Sequence, residues 1–113
     1  MPRPQRILLA DNRDSHRETY AEFLQLRGFH VAGVRSPEAC LHAVETCPPH
    51  LAILDLRMRS EDDENDRSGL ALAKQLPANL PKIVLTAFPT WETAREVLTP
   101  VAGGWPPATC AAN

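Results

Sequence analysis

Apolar residues along this chain fall into short solid runs, separated by stretches in which they recur every three or four positions. The first run, Arg6-Ile-Leu-Leu-Ala10, stops at Asp11. From Asp14 to Arg27 the residues Tyr20, Phe23 and Leu24 lie at helical spacing and Gly28 supplies a stop, which predicts a helix. Phe29 to Val34 alternates like a strand. Ser36-Pro37 reads as an N-cap followed by proline at the first helical position. The helix it opens has Cys40, Ala43, Val44 and Cys47 on its inner face, and Pro48-Pro49 ends it. Leu51-Ala-Ile-Leu54 is the next run, closed by Asp55, and residues 57 to 68 form a charged loop. Gly69 to Leu76 carries Leu72, Ala73 and Leu76 at helical spacing. Lys82 to Thr86 is a fourth strand, and Thr90 to Leu98, with Trp91, Ala94 and Leu98 on one side, a fourth helix.

Four strand–helix units predict an α/β fold, a doubly wound parallel sheet with helices on both faces. The runs at 7–10, 51–54 and 83–85 do not alternate, as expected for parallel strands buried on both sides. Residues 99 to 113 show no strand or helix pattern.

A length of 113 residues fits a single domain, 1–113. Twelve basic and fourteen acidic residues give a net charge of −2, which carries no basic footprint for nucleic acid. The apolar runs are too short to span a bilayer, and no signal-peptide pattern precedes the first strand; cytoplasmic residence without a membrane partner is expected. Cys40, Cys47 and Cys110 have no metal-ligand spacing and are expected to be reduced. His16, His30, His42 and His50 likewise have no metal spacing. Five of the eleven prolines (Pro81, Pro89, Pro100, Pro106 and Pro107) fall from residue 81 onward, setting the tail apart.

In an open parallel sheet, ligands bind beyond the carboxyl ends of the strands. Three strand ends carry polar groups there: Asp11-Asn12, Asp55 and Thr86. Two carboxylates, an amide oxygen and a hydroxyl make a hard-oxygen set suited to Mg²⁺, which relieves the repulsion between the acids.

These same residues carry a family resemblance. Ile-Leu-Leu-Ala-Asp11-Asn12 resembles the acidic strand end of two-component response regulator receiver domains. Leu51-Ala-Ile-Leu-Asp55-Leu-Arg-Met58 resembles their phosphoacceptor strand, and Ile83-Val-Leu-Thr86-Ala87 their Thr/Ser-Ala strand end. The likeness covers residues 5 to about 98 and implies a flavodoxin-like sheet ordered 2-1-3-4-(5). It implies that Asp55 accepts a phosphoryl group from a histidine kinase or phosphotransfer protein. Asp11, Asn12, Asp55 and the main-chain carbonyl of Arg57 would hold Mg²⁺, with Thr86 and Ala87 as the switch contact to the phosphoryl group. A signalling module is implied rather than an enzyme, with no output domain in the chain. A Mg²⁺-dependent phosphatase would need an acid where Arg57 stands.

The family pattern breaks in three places. Asn12 replaces a second acid, which weakens the expected hold on Mg²⁺. Gly69 lies fourteen residues after Asp55, farther than the pattern places its glycine, and the added Ser60-Glu-Asp-Asp-Glu-Asn-Asp66 holds five acids. That charge disfavours a phosphoryl group unless Arg57, Arg59 or Arg67 folds back over the site. The family's lysine is missing, since Ala108 stands at its offset. The resting charge is nevertheless kept at −2, because one acid and one base are lost together. Slow modification of Asp55 is therefore expected, the alternative being a non-phosphorylated protein-interaction module. With the fifth strand and fifth helix missing or irregular, strand four becomes an apolar edge. Self-association through the fourth strand, fourth helix and tail is expected.

Overall fold

The computed structural model describes residues 5–60, 63 and 65–86. The helix expected at 90–98, the tail, and Ala87 with Trp91 and Cys110 all lie outside the described residues. Seven elements follow in order: β1 (Arg6–Ala10), α1 (Asp14–Leu26), β2 (His30–Val34), α2 (Pro37–Thr46), β3 (Leu51–Asp55), α3 (Ser68–Gln75) and β4 (Lys82–Leu85). The four strands form one parallel sheet in the order β2-β1-β3-β4. Each boundary lies within a residue or so of its expected place, because the caps that set it are local. Ser36 Oγ accepts from Ala39 N at 3.1 Å and Pro37 opens α2. Gly28, at φ +94°, turns the chain out of α1 in a conformation that other residues resist.

The two faces of the sheet are covered unequally. On one, Leu8, Ala10, Ala52 and Leu54 pack with Cys40 and Val44 of α2, with Leu72 and Ala73 of α3, and with Leu76 just beyond it. Met58 and Leu80, each 1% exposed, close this core. On the other face lies α1, none of whose residues is buried. Between α1 and the strands runs an apolar groove of about 270 Å³, lined by Leu9, Tyr20, Phe23, Leu24, Ile53, Ile83 and Leu85.

Two expectations fail here. The run 83–85 is not buried on both sides: Ile83 and Leu85 are 45% and 37% exposed. Tyr20, Phe23 and Leu24 of α1 stand across the groove that these two residues line. The reading of reduced cysteines holds for Cys40, which is buried in the core with its thiol pushed up to about 11 by desolvation. It fails for Cys47, which is disulfide-bonded. Cys47 is the half-buried residue that ends α2, where a side chain is no longer held inside the core.

Candidate functional site

Register decides what meets at the carboxyl end of the sheet. Ala10 pairs with Leu54, so Asp11 and Asp55 leave neighbouring strands at the same level, about 4.8 Å apart across the ladder. Asp55 in turn pairs with Leu85, which sets Thr86 one step further along the next strand. The three strand ends picked out by sequence therefore share one crevice. Ala87, the remaining predicted contact, falls outside the described residues.

Asp11 is 3% exposed, and its place is over-determined. Its amide donates to Val34 O at 3.0 Å, its Oδ1 accepts from Arg13 N at 2.9 Å, and its carbonyl accepts from Arg17 Nη1 at 2.9 Å. Arg17 also bonds Asp14 at 2.5 Å, which together with the charge of Arg17 holds the Asp14 carboxyl below its ordinary range. The stem of Arg17 lies over Gly33, where an added Cβ would come within 3.0 Å of it. His16 brings Nδ1 to 3.8 Å from Asp11 Oδ2. Neither Arg17 nor His16 was singled out from sequence. The available signal was their place on the first turns of α1, directly after the acidic strand end.

Asp55 is half-buried, and its Oδ1 accepts from Arg57 N at 3.4 Å. The main chain beside it is fixed from two sides. Leu56 N donates to Leu85 O at 2.9 Å, and Leu56 O accepts from Gly69 N at 2.8 Å. A Cβ on Gly69 would stand 1.9 Å from the Asp55 carbonyl oxygen, so only glycine permits this approach. The long loop thus brings Gly69 against the Asp55 carbonyl although it lies fourteen residues further along the chain.

Asn12 Oδ1 is buried and has no hydrogen-bond partner. Such an oxygen costs free energy unless something charged or polar meets it. Together with Asp11 and Asp55 it makes a donor set of hard oxygens, which fits Mg²⁺ completed by water and a main-chain carbonyl. Among the described residues no group of three or more His, Cys, Asp or Glu is gathered for a metal, so a site richer in protein ligands is absent there. Of the three arginines considered as cover for the crevice, Arg59 is turned away and bonds Glu38 of α2 at 2.5 Å. Arg67 is exposed and Arg57 half-buried.

An acidic, oxygen-lined crevice at the carboxyl edge of a 2-1-3-4 parallel sheet lies where open α/β sheets bind their ligands. Comparison with known proteins narrows this. Residues 7–104 match the family described as response regulator receiver domain, and the chain belongs to that family. It is 32% identical over 93 residues to response regulator RR06 of Streptococcus pneumoniae serotype 2 (strain D39 / NCTC 7466), covering 80% of this chain and 40% of that protein. The chain thus spans about two fifths of that relative's length. Among solved structures it is similar to the N-terminal domain of a response regulator receiver protein from Methanoculleus marisnigri JR1. There the TM-score is 0.66 and the identity 29%, over 81% of this chain and 75% of that one. NtrX from Brucella abortus is 26% identical with a TM-score of 0.68, over 83% and 21% of the two chains. The chemotaxis response regulator CheY4 of Vibrio cholerae, at 19% identity and a TM-score of 0.71 over 82% and 77%, shares the fold. This is a receiver domain of two-component signalling, with the flavodoxin-like sheet expected from sequence. Among the described residues no helix is long and apolar enough to cross a membrane.

Proposed function

We propose that the chain is a phosphoacceptor in a two-component phosphorelay, taking a phosphoryl group on Asp55 from a histidine kinase or phosphotransfer protein. The observation that carries this is the shared level of Asp11 and Asp55 on β1 and β3, with the buried Asn12 oxygen beside them. In the transfer a carboxylate oxygen of Asp55 attacks phosphorus of the donor phosphohistidine. The phosphorus–nitrogen bond breaks, and its electron pair stays with the donor imidazole. Asp11, Asn12, Asp55 and the Arg57 carbonyl are the groups that would hold Mg²⁺, which when bound offsets charge on the transferring phosphoryl group. Arg17 and Arg13 keep Asp11 in place for that task. The Thr86 hydroxyl donates a hydrogen bond to a phosphoryl oxygen of the product. The module acts as a signalling switch rather than as an enzyme on a diffusing substrate. It self-associates through the exposed side of β4; the fourth helix and tail, assigned to the same contact from sequence, lie outside the described residues.

Ala108 at the lysine offset leaves one favourable contact to the phosphoryl group unmade, so modification is slow. Incubation with acetyl phosphate and Mg²⁺, followed by intact mass measurement, tests this. The expected result is one adduct that accumulates slowly and is absent from Asp55→Ala. An adduct that persists in Asp55→Ala overturns the acceptor assignment, and a rapid, near-complete adduct overturns the slow switch. The missing lysine also favours a second reading, a receiver used only for protein contacts. No adduct, and no response of tryptophan fluorescence to Mg²⁺ or beryllofluoride, would establish it.

A further inference from the structure

The loop that lengthens the connection from β3 to α3 is tied shut at its base by one carboxylate. Asp66 Oδ2 accepts from Arg59 N at 2.9 Å and from Ser60 N at 2.6 Å, while Asp66 Oδ1 accepts from Ser68 N at 2.9 Å. Ser68 Oγ adds a second acceptor for Arg59 N at 3.1 Å. Three amides on two chain segments thus converge on a single side chain. Burial raises the Asp66 carboxyl, but hydrogen bonds from Ser68, Ser60 and Arg59 together outweigh it and hold the group below its ordinary range. The anion is the form the neck uses.

On either side of this neck the chain is anchored. Met58 is buried in the core, and Gly69 and Leu70 are buried at the start of α3. The residue at the N-cap of α3, Arg67, makes no side-chain cap bond; Asp66 supplies the cap from one position earlier. Next comes Gly69, whose amide bonds Leu56 O and whose Cα lies against the carbonyl of Asp55. Any slide of the first turn of α3 presses directly on the main chain that carries the Asp55 carboxylate. An open loop of this length has closure entropy to regain, and at its base Asp66 holds three amides where Ser68 Oγ holds one.

We propose that Asp66 is a positioning residue for the phosphoacceptor: by closing the inserted loop it sets Gly69 against Asp55 and so fixes the attack geometry of the Asp55 carboxylate. The functional meaning rests on the phosphoacceptor reading above, but the coupling between Asp66 and Asp55 does not. Displacements of about 1 Å at a reacting group, caused from outside the site, can cost on the order of a hundredfold in rate.

The test uses the whole chain with Asp66→Ala, Asp66→Asn and Ser68→Ala. Carbon-detected NMR reads the Asp55 carboxyl resonance and its titration midpoint, and intact mass reads the rate of modification by acetyl phosphate with Mg²⁺. Asp66→Ala is expected to move the Asp55 resonance and midpoint and to slow modification by about tenfold or more. Asp66→Asn, which can still accept from two of the three amides, and Ser68→Ala, which removes one acceptor for Arg59 N, are both expected to fall between. A folded Asp66→Ala with Asp55 resonance, midpoint and rate unchanged overturns the proposal. If Asp66→Ala does not fold, Asp66→Asn carries the same readouts. If the parent takes up no phosphoryl group, the phosphoacceptor reading fails while the Asp55 resonance still decides the coupling.

Discussion

Protonating His50 costs the fold a hydrogen bond, because its Nδ1 accepts from Arg6 N at 2.9 Å and an imidazolium has no lone pair to offer there. Its own amide donates to Arg6 O at 2.8 Å, so the pair splices the β3 entry to the start of β1. Burial first, and the nearby Arg6 guanidinium second, hold the ring below its ordinary value of 6.5. A depressed folded pKa means the unfolded chain takes up protons first. The contribution of His50 is therefore whole above 6.5 and is lost as pH falls through the folded value. Melting temperature should drop as pH is lowered from about 7.5 to 5, and His50→Asn should flatten that slope. An equal slope in both proteins would show that the ring is not the group responsible. Sequence identified His50 only as a polar residue without metal spacing, because its partner is 44 positions away. The same holds for Asp66 and Gly69: their residue types were visible, whereas their contacts to residues 55–60 exist only once the loop closes.

At the scale of elements, local signals carried furthest. Ser36-Pro37, Gly28 and Pro48-Pro49 mark their boundaries through bonds made or denied within a few residues, and the helices begin and end close to them. Solid apolar runs located the strands correctly but overstated the burial of β4. A run of Ile, Val and Leu is compatible with one covered face or two, and the number of helices above a face is not written in the strand. The two sides should therefore respond differently to substitution. Leu72, fully buried under the α2/α3 face, should lose about 3 kcal/mol on Leu72→Ala. Phe23, 51% exposed on α1 with Arg27 stacked over its ring, should lose less than about 1 kcal/mol on Phe23→Gln. Urea unfolding of the two variants checks the contrast, and comparable losses would mean that the α1 face is covered in solution.

For the molecule as a whole, that uneven coverage is the main structural consequence. One face of the sheet holds a continuous core, while the other presents Tyr20, Phe23, Ile83 and Leu85 around an apolar groove. Exposed apolar surface beside a strand with few described neighbours favours association. Light scattering across a concentration series should show mass rising above that of the monomer, and Ile83→Lys should suppress the rise. A monomeric mass throughout would remove self-association from the proposed function.

The sequence by itself determined the fold class, the order of elements and the strand ends at which Asp11, Asn12, Asp55 and Thr86 sit. Each of these depends on periodicity or on residues adjacent in the chain. The tertiary structure decided which groups meet. Parallel register put Asp11 level with Asp55, and α1 brought Arg17 and His16 to Asp11. The closed loop returned Gly69 to the Asp55 carbonyl despite its late place in the chain. The disulfide at Cys47 and the open face of β4 were decided in the same way. Contacts between residues distant in sequence depend on the relative placement of whole elements, and no local pattern of residue types encodes that placement.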